Sequence, residues 1–270
     1  MDLRIVFQNS GDSLPGLPIG VLSVNPDGSN LVKVADGAFE PCCSPDGNWI
    51  AYSAWNRNGC YNVHIMRRDG TNVIRITDYS DVGANSPSWS FDSTKIAYTT
   101  CGHNVENQIW WIDLITGQQH YLADGGSTPV WTANGEIIFE AFPNGAATQM
   151  IVGAYGEDLE ESGLFEIGDW SVRSSPSGSE FAFLRNRDIF LIDSSGENLR
   201  CIREDALATG LSWSPDGQQI AFYAARSQSE RPCGKEIYVI DKDGKNEHKI
   251  VANPWMGDRV GELVNVSWFC

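Results

Sequence analysis

The stretch SWSPDGQQIAFYAAR, Ser212 to Arg226, decides the fold because most of it is written twice more in the same chain. It returns as CSPDGNWIAYSAWN at Cys43 to Asn56 and as WSFDSTKIAYTTC at Trp89 to Cys101. Inside the phrase, Pro fixes φ, Asp accepts backbone hydrogen bonds and Gly tolerates positive φ, so Ser-Pro-Asp-Gly turns the chain tightly between two strands. The phrase therefore reads as a structural corner and not as an active site.

Outward from these corners, helical periodicity is nearly absent, and short runs rich in Val, Ile, Phe, Tyr and Trp alternate between Gly, Asp, Asn and Pro clusters. A strand-ending aromatic recurs at Phe7, Tyr52, Tyr98, Phe139, Phe183 and Phe222, at gaps of 45, 46, 41, 44 and 39 residues. That period predicts four-stranded propeller blades. Five complete blades are expected at about 38–80, 84–124, 127–168, 170–204 and 208–252, with fourth strands at VIRIT (73–77), QHYLA (119–123), GLFEI (163–167), LRCIR (199–203) and HKIVA (248–252). The sixth is expected to combine residues 1–37 with 265–270, so that VSWFC at Val266 to Cys270 closes the ring and removes the free sheet edges. The expectation is one all-β domain over 1–270, a six-bladed propeller of antiparallel blades.

These repeats resemble the TolB-like propellers built from WD40-like PD40 repeats, whose signature is close to P-x-W-S-P-D-G-x-x-I-A-F. The likeness is tightest at Pro41 to Tyr52, Pro87 to Tyr98 and Leu211 to Phe222; Cys43 and Ser174 stand where the pattern has Trp. The resemblance implies a noncatalytic protein-interaction or ligand-binding scaffold, and an extracytoplasmic setting, periplasmic or secreted. MDLRIVF at the start lacks the basic and long apolar segments of a secretory signal.

Nineteen Lys and Arg stand against 35 Asp and Glu, a formal charge of −16 that repels phosphate backbones and anionic membrane surfaces. Nucleic acid is not expected as a partner, nor is membrane insertion, and the chain is expected to be a monomer. Seven cysteines cannot all pair internally. Cys60 and Cys101 fall in equivalent loops of neighbouring blades, which suggests a disulfide between them.

The phrases NPDGSN at Asn25, RRDGTN at Arg67 and DKDGKN at Asp241 resemble the start of a calcium loop, but the acids that would complete the set, Asp36, Asp78 and Glu204, lie a strand away. Hairpin turns with a left-handed Gly are expected instead. No nucleophile elbow, zinc-protease, phosphate-loop or paired C-x-x-C motif occurs, and the four histidines are dispersed, so neither a metal nor a cofactor is expected.

Loop length then separates the two faces of the ring. The connections between strands one and two are short, whereas QNSGDSLPGLPIG (8–20), SAWNRNGCY (53–61), TTCGHNVEN (99–107), YAARSQSERPCGK (223–235) and ANPWMGDRVGELV (252–264) converge on the opposite face. Variable loops on a rigid scaffold carry recognition, and Trp and Arg are frequent anchors. Trp55, Arg57, His103, Trp170, Arg226, Arg231, Trp255 and Arg259 are the candidate contacts for a protein or small ligand on this face. Trp89, Trp131, Trp213 and Trp268 recur at one strand-one position and are read as packing between blades. The alternative function is a carbohydrate- or peptide-processing enzyme using funnel carboxylates, with Asp81, Glu140 and Asp258 as candidates.

Overall fold

The computed structural model describes residues 3–10, 20–103, 105–143, 145–225, 235–251 and 262–269, and every regular element within them is a strand. Six four-stranded antiparallel sheets form a ring. Blade 1 joins β1 (Arg4–Ser10), β2 (Gly20–Val24) and β3 (Val32–Asp36) to β24 (Glu262–Phe269), in the order β24-β1-β2-β3. Blade 2 comprises β4 (Ala38–Cys43), β5 (Trp49–Trp55), β6 (Tyr61–Arg67) and β7 (Ile74–Arg75), and blade 3 comprises β8 (Gly83–Trp89), β9 (Lys95–Gly102), β10 (Val105–Asp113) and β11 (Gln119–Asp124). Blade 4 is built from β12 (Gly126–Trp131), β13 (Ile137–Ala141), β14 (Thr148–Val152) and β15 (Glu160–Glu161). Blade 5 takes β16 (Trp170–Ser174), β17 (Glu180–Arg185), β18 (Asp188–Asp193) and β19 (Arg200–Arg203). Blade 6 takes β20 (Ala208–Trp213), β21 (Gln219–Ala225), β22 (Lys235–Asp241) and β23 (His248–Val251).

Closure follows the expected route, with Ile5 opposite Trp268 and Phe7 opposite Val266 across β1 and β24. One expected strand is displaced: the outermost strand of blade 4 is Glu160–Glu161 rather than GLFEI. Leu164 and Phe165 instead pack inward against the cluster between blades 4 and 5, where Phe165 meets the Phe181 and Phe183 rings edge-on. Their hydrophobicity serves the core and not a ladder.

Each of the six hydrophobic clusters lies between two neighbouring blades. The recurring aromatics Phe7, Tyr52, Tyr98, Phe139, Phe183 and Phe222 are all buried in them. Trp110 and Trp111, adjacent on β10, pack into different clusters, as the alternation of a strand requires. Trp89, Trp131, Trp213 and Trp268 fill four of the six junctions. Trp89 and Trp213 also donate from Nε1 to the carbonyls of Cys42 and Arg173 on the preceding blade, at 3.0 and 3.1 Å. The other two junctions, blade 1 with blade 2 and blade 4 with blade 5, have Cys43 and Ser174 in that place.

The corners satisfy themselves locally. Ser90 Oγ accepts from the Lys95 amide at 2.9 Å and donates to Asp92 at 2.6 Å, while the Thr94 amide donates to the same carboxylate at 3.0 Å. Ser214 and Asp216 repeat the arrangement. The DG phrases are hairpin turns with Gly28, Gly70 and Gly244 at φ of 82°, 84° and 81°. A Cβ on Gly70 would stand 2.7 Å from the Val34 carbonyl oxygen of the preceding blade. No cluster of three or more metal-ligating side chains occurs among the described residues.

Candidate functional site

The other end of strand one is built differently. Pro41, Pro87 and Pro129 stand inside inner strands, and a Pro cannot donate to a ladder. The pairing accordingly slips by a bulge between Phe39 and Cys42, Asn85 and Ser88, and Ser127 and Val130. The residue ahead of each Pro, Glu40, Ser86 or Thr128, takes a left-handed φ of 50–52°. The amides released there bond to side chains of the neighbouring blade: Glu40 N donates to Gln8 Oε1 at 3.1 Å, Ser86 N to Glu40 Oε2 at 2.7 Å, and Thr128 N to Thr99 Oγ1 at 3.2 Å.

These bulges line an axial cavity of about 250 Å³, whose walls also include the corner residues Pro45, Pro176 and Pro215. Arg173 reaches the axis from blade 5, and Glu40 faces it from blade 2 on the opposite side of the ring. Burial pushes the Glu40 carboxyl above its ordinary pKa, opposed by the hydrogen bonds from Ser86 and Ser53 and by the charge of Arg173. Glu140 on β13 behaves likewise: burial raises it, while Gln149, 3.5 Å away, and Arg173 oppose the shift. Sequence reasoning did not single out Glu40 or Arg173; the pre-proline position was the readable signal for Glu40.

On the long-loop face, Trp55 pairs across the hairpin with Tyr61, ring centroids 3.9 Å apart, and Phe39 meets Tyr61 edge-on at 4.7 Å. Trp55 nevertheless keeps 57% of its surface exposed. The hairpin beneath it is rigid, because Asn56 Oδ1 accepts from the amides of Asn58 and Cys60, both at 2.9 Å, and its Nδ2 donates to the Tyr79 carbonyl. Arg57 is exposed on the same hairpin, and His103 is exposed on the equivalent connection of blade 3.

Trp170 stands apart from this group, on blade 5 across the ring, half-buried against the cluster between blades 5 and 6. Beside it, the buried Asp169 holds Arg185 by two 2.7 Å bonds. Arg226, Arg231, Trp255 and Arg259 lie outside the described residues, as does Asp258; Asp81 is exposed. The expected Cys60–Cys101 disulfide is absent, since both are free thiols. Cys60 Sγ donates to the Ser80 carbonyl at 3.2 Å, and Cys101 Sγ accepts from Asn85 Nδ2 at 3.6 Å.

The sequence matches no family model and no curated protein. Among solved structures, TolB from Acinetobacter baumannii is similar over 98% of this chain and 66% of its own length, with 16% identity and a TM-score of 0.79. The chain thus spans about two thirds of that protein. A chain of a nidogen/laminin complex is similar over 99% and 98% of the two lengths at 6% identity and a TM-score of 0.74. An oligogalacturonate lyase in complex with manganese is similar over 94% and 80% at 12% identity and a TM-score of 0.63. At such identities the likeness is one of fold, and it coincides with the six closed blades: the chain folds as a six-bladed β-propeller similar in fold to TolB.

Proposed function

We propose that this propeller is a noncatalytic binding scaffold that docks a protein partner on its long-loop face. The observation that carries the reading is the Phe39–Trp55–Tyr61 cluster, in which a large aromatic remains exposed on a hairpin fixed by Asn56. Rigid, exposed aromatics lose little entropy on binding and commonly act as anchors. Val105 and Phe142, each more than half exposed, extend the apolar character of the same face. The likeness to TolB is compatible with a scaffold and says nothing of the partner.

One observation favours the enzymatic alternative, namely that Glu40, which lines the axial cavity, and Glu140 are both pushed toward the protonated form, as a general acid would be. Against it, Glu40 Oε2 already accepts from the Ser53 hydroxyl and the Ser86 amide. The test is affinity capture from the native source using the full chain, a Trp55→Ala variant, and a Tyr155→Ala control that removes an exposed aromatic from a strand-three-to-four turn. A protein captured by wild type and control but not by Trp55→Ala supports the reading. Capture that is indifferent to Trp55, or glycan or peptide turnover abolished by Glu140→Gln, overturns it.

A further inference from the structure

The axial cavity lies at a different place from the long-loop aromatics and has its own chemistry. Six strand ones surround it, and in four of them an indole occupies the junction with the preceding blade. The two junctions without an indole, at Cys43 and Ser174, lie opposite each other across the ring, on the same two blades that carry Glu40 and Arg173.

The charges on that diameter are incompletely used. Arg173 makes one hydrogen bond among the described residues, from Nη1 to its neighbour's carbonyl at Val172, 2.7 Å away. No described acid lies within the 4.0 Å of an ion pair with it. Glu40 and Arg173 are therefore too far apart to bond directly, yet near enough for the guanidinium to bias the Glu40 carboxyl. A guanidinium left with unspent donors in a partly desolvated site favours a carboxylate, which it can meet in a bidentate fork. A ligand with a carboxylate at one end and a hydrogen-bond-donating ammonium at the other would use Arg173 and Glu40 together, and the ammonium would favour the ionised form of Glu40 that burial disfavours. The rest of the lining sets the apolar surfaces of Pro41, Pro87, Pro129 and Val130 beside hydroxyls such as Ser88 and Ser212. A cavity of about 150 Å³ already accommodates benzene, so this one has room for a side chain as well as a charged head.

We propose that the axial cavity binds a small zwitterion, a free amino acid with an apolar side chain, its carboxylate on Arg173 and its ammonium toward Glu40. The site is independent of the docking face, and loss of either leaves the other in place.

The test is isothermal titration of the full chain at pH 7.5 with leucine and phenylalanine, alongside N-acetyl-leucine, which lacks the ammonium, and isoamylamine, which lacks the carboxylate. Saturable one-to-one binding of an amino acid, weakened about tenfold or more in both truncated analogues, is expected. Arg173→Gln should weaken binding by at least about tenfold. Ser174→Trp, which restores the indole found in four other blades, should block the cavity without removing a charge. Both variants are to be checked for a wild-type melting transition, and Cys43→Trp replaces Ser174→Trp if the latter fails to fold. The proposal is overturned if neither amino acid binds, if an analogue binds as well as leucine, or if affinity is unchanged in Arg173→Gln.

Discussion

Strand one of each blade has two ends, and they hold their polar groups in opposite ways. At the corner, Asp92 is tied to Ser90 and Thr94 of its own turn; at the bulge, Glu40 is tied to Ser86 of the next blade. Their acidities follow. Partial burial works against ionisation of Asp92, but the Ser90, Thr94 and Lys95 contacts outweigh it and hold the carboxyl well below the ordinary range. At Glu40, burial wins and the pKa rises. The difference separates the local repeat that makes a blade from the contacts between blades that make a ring and its channel.

If bulge contacts depend on neighbours, opening the ring should hurt most. Deleting 262–270 removes β24, strips the edge of β1 and takes away the Ser267 hydroxyl that accepts from the Cys43 amide at 3.0 Å. The expected outcome is loss of a single cooperative thermal transition; a deletion variant melting like the full chain would show that the blades stand alone. Next in size is Glu40→Leu, which leaves the Ser86 amide and the Ser53 hydroxyl without their acceptor and should cost about 2 to 4 kcal/mol in urea denaturation. An effect below that of a corner mutant would break the distinction between the two ends. The corner itself should be milder: Asp92→Ala removes charge-assisted bonds at an exposed site and should cost about 1 to 2 kcal/mol.

The smallest effect is in pH dependence, and its sign is diagnostic. Because the folded pKa of Asp92 is depressed, its contribution is present above the unfolded value of about 3.9 and is lost as pH falls through the folded value. Asp27, Asp69, Asp193 and Asp243 are lowered in the same way by bonds within their turns. Glu40 works in reverse: its raised folded pKa gives stability below the unfolded value of about 4.3 that is lost as pH rises through the folded value. Glu40→Gln should therefore gain on wild type between pH 5 and 8, whereas Asp92→Asn should flatten the acid limb. Identical pH profiles for the two variants would contradict the assignment.

The blade count and the closure were legible because the buried aromatic of strand two and the corner are local and repeat at every blade. The displaced strand in blade 4 was not, because Leu164 and Phe165 are apolar for the sake of a neighbouring sheet, and sequence does not distinguish that from a ladder. Trp55 was readable as an exposed aromatic beside an Asn-Gly hairpin, but Trp170 carries the same residue type and is half-buried. The axial pair was hidden for another reason. Glu40 and Arg173 are 133 positions apart in the chain, each belongs to an ordinary strand, and only the ring sets them face to face.

The pairing of Phe7 with Val266 also sets a timetable for synthesis. At about 5 to 20 residues per second, the partner of β1 emerges on the order of tens of seconds after β1 itself. Throughout that interval the first three strands present a bare edge on the nascent chain, and the last junction cannot form. The ring is thus completed only after nearly all of it has been made, and a chaperone able to cover a strand edge would have its greatest influence during this wait.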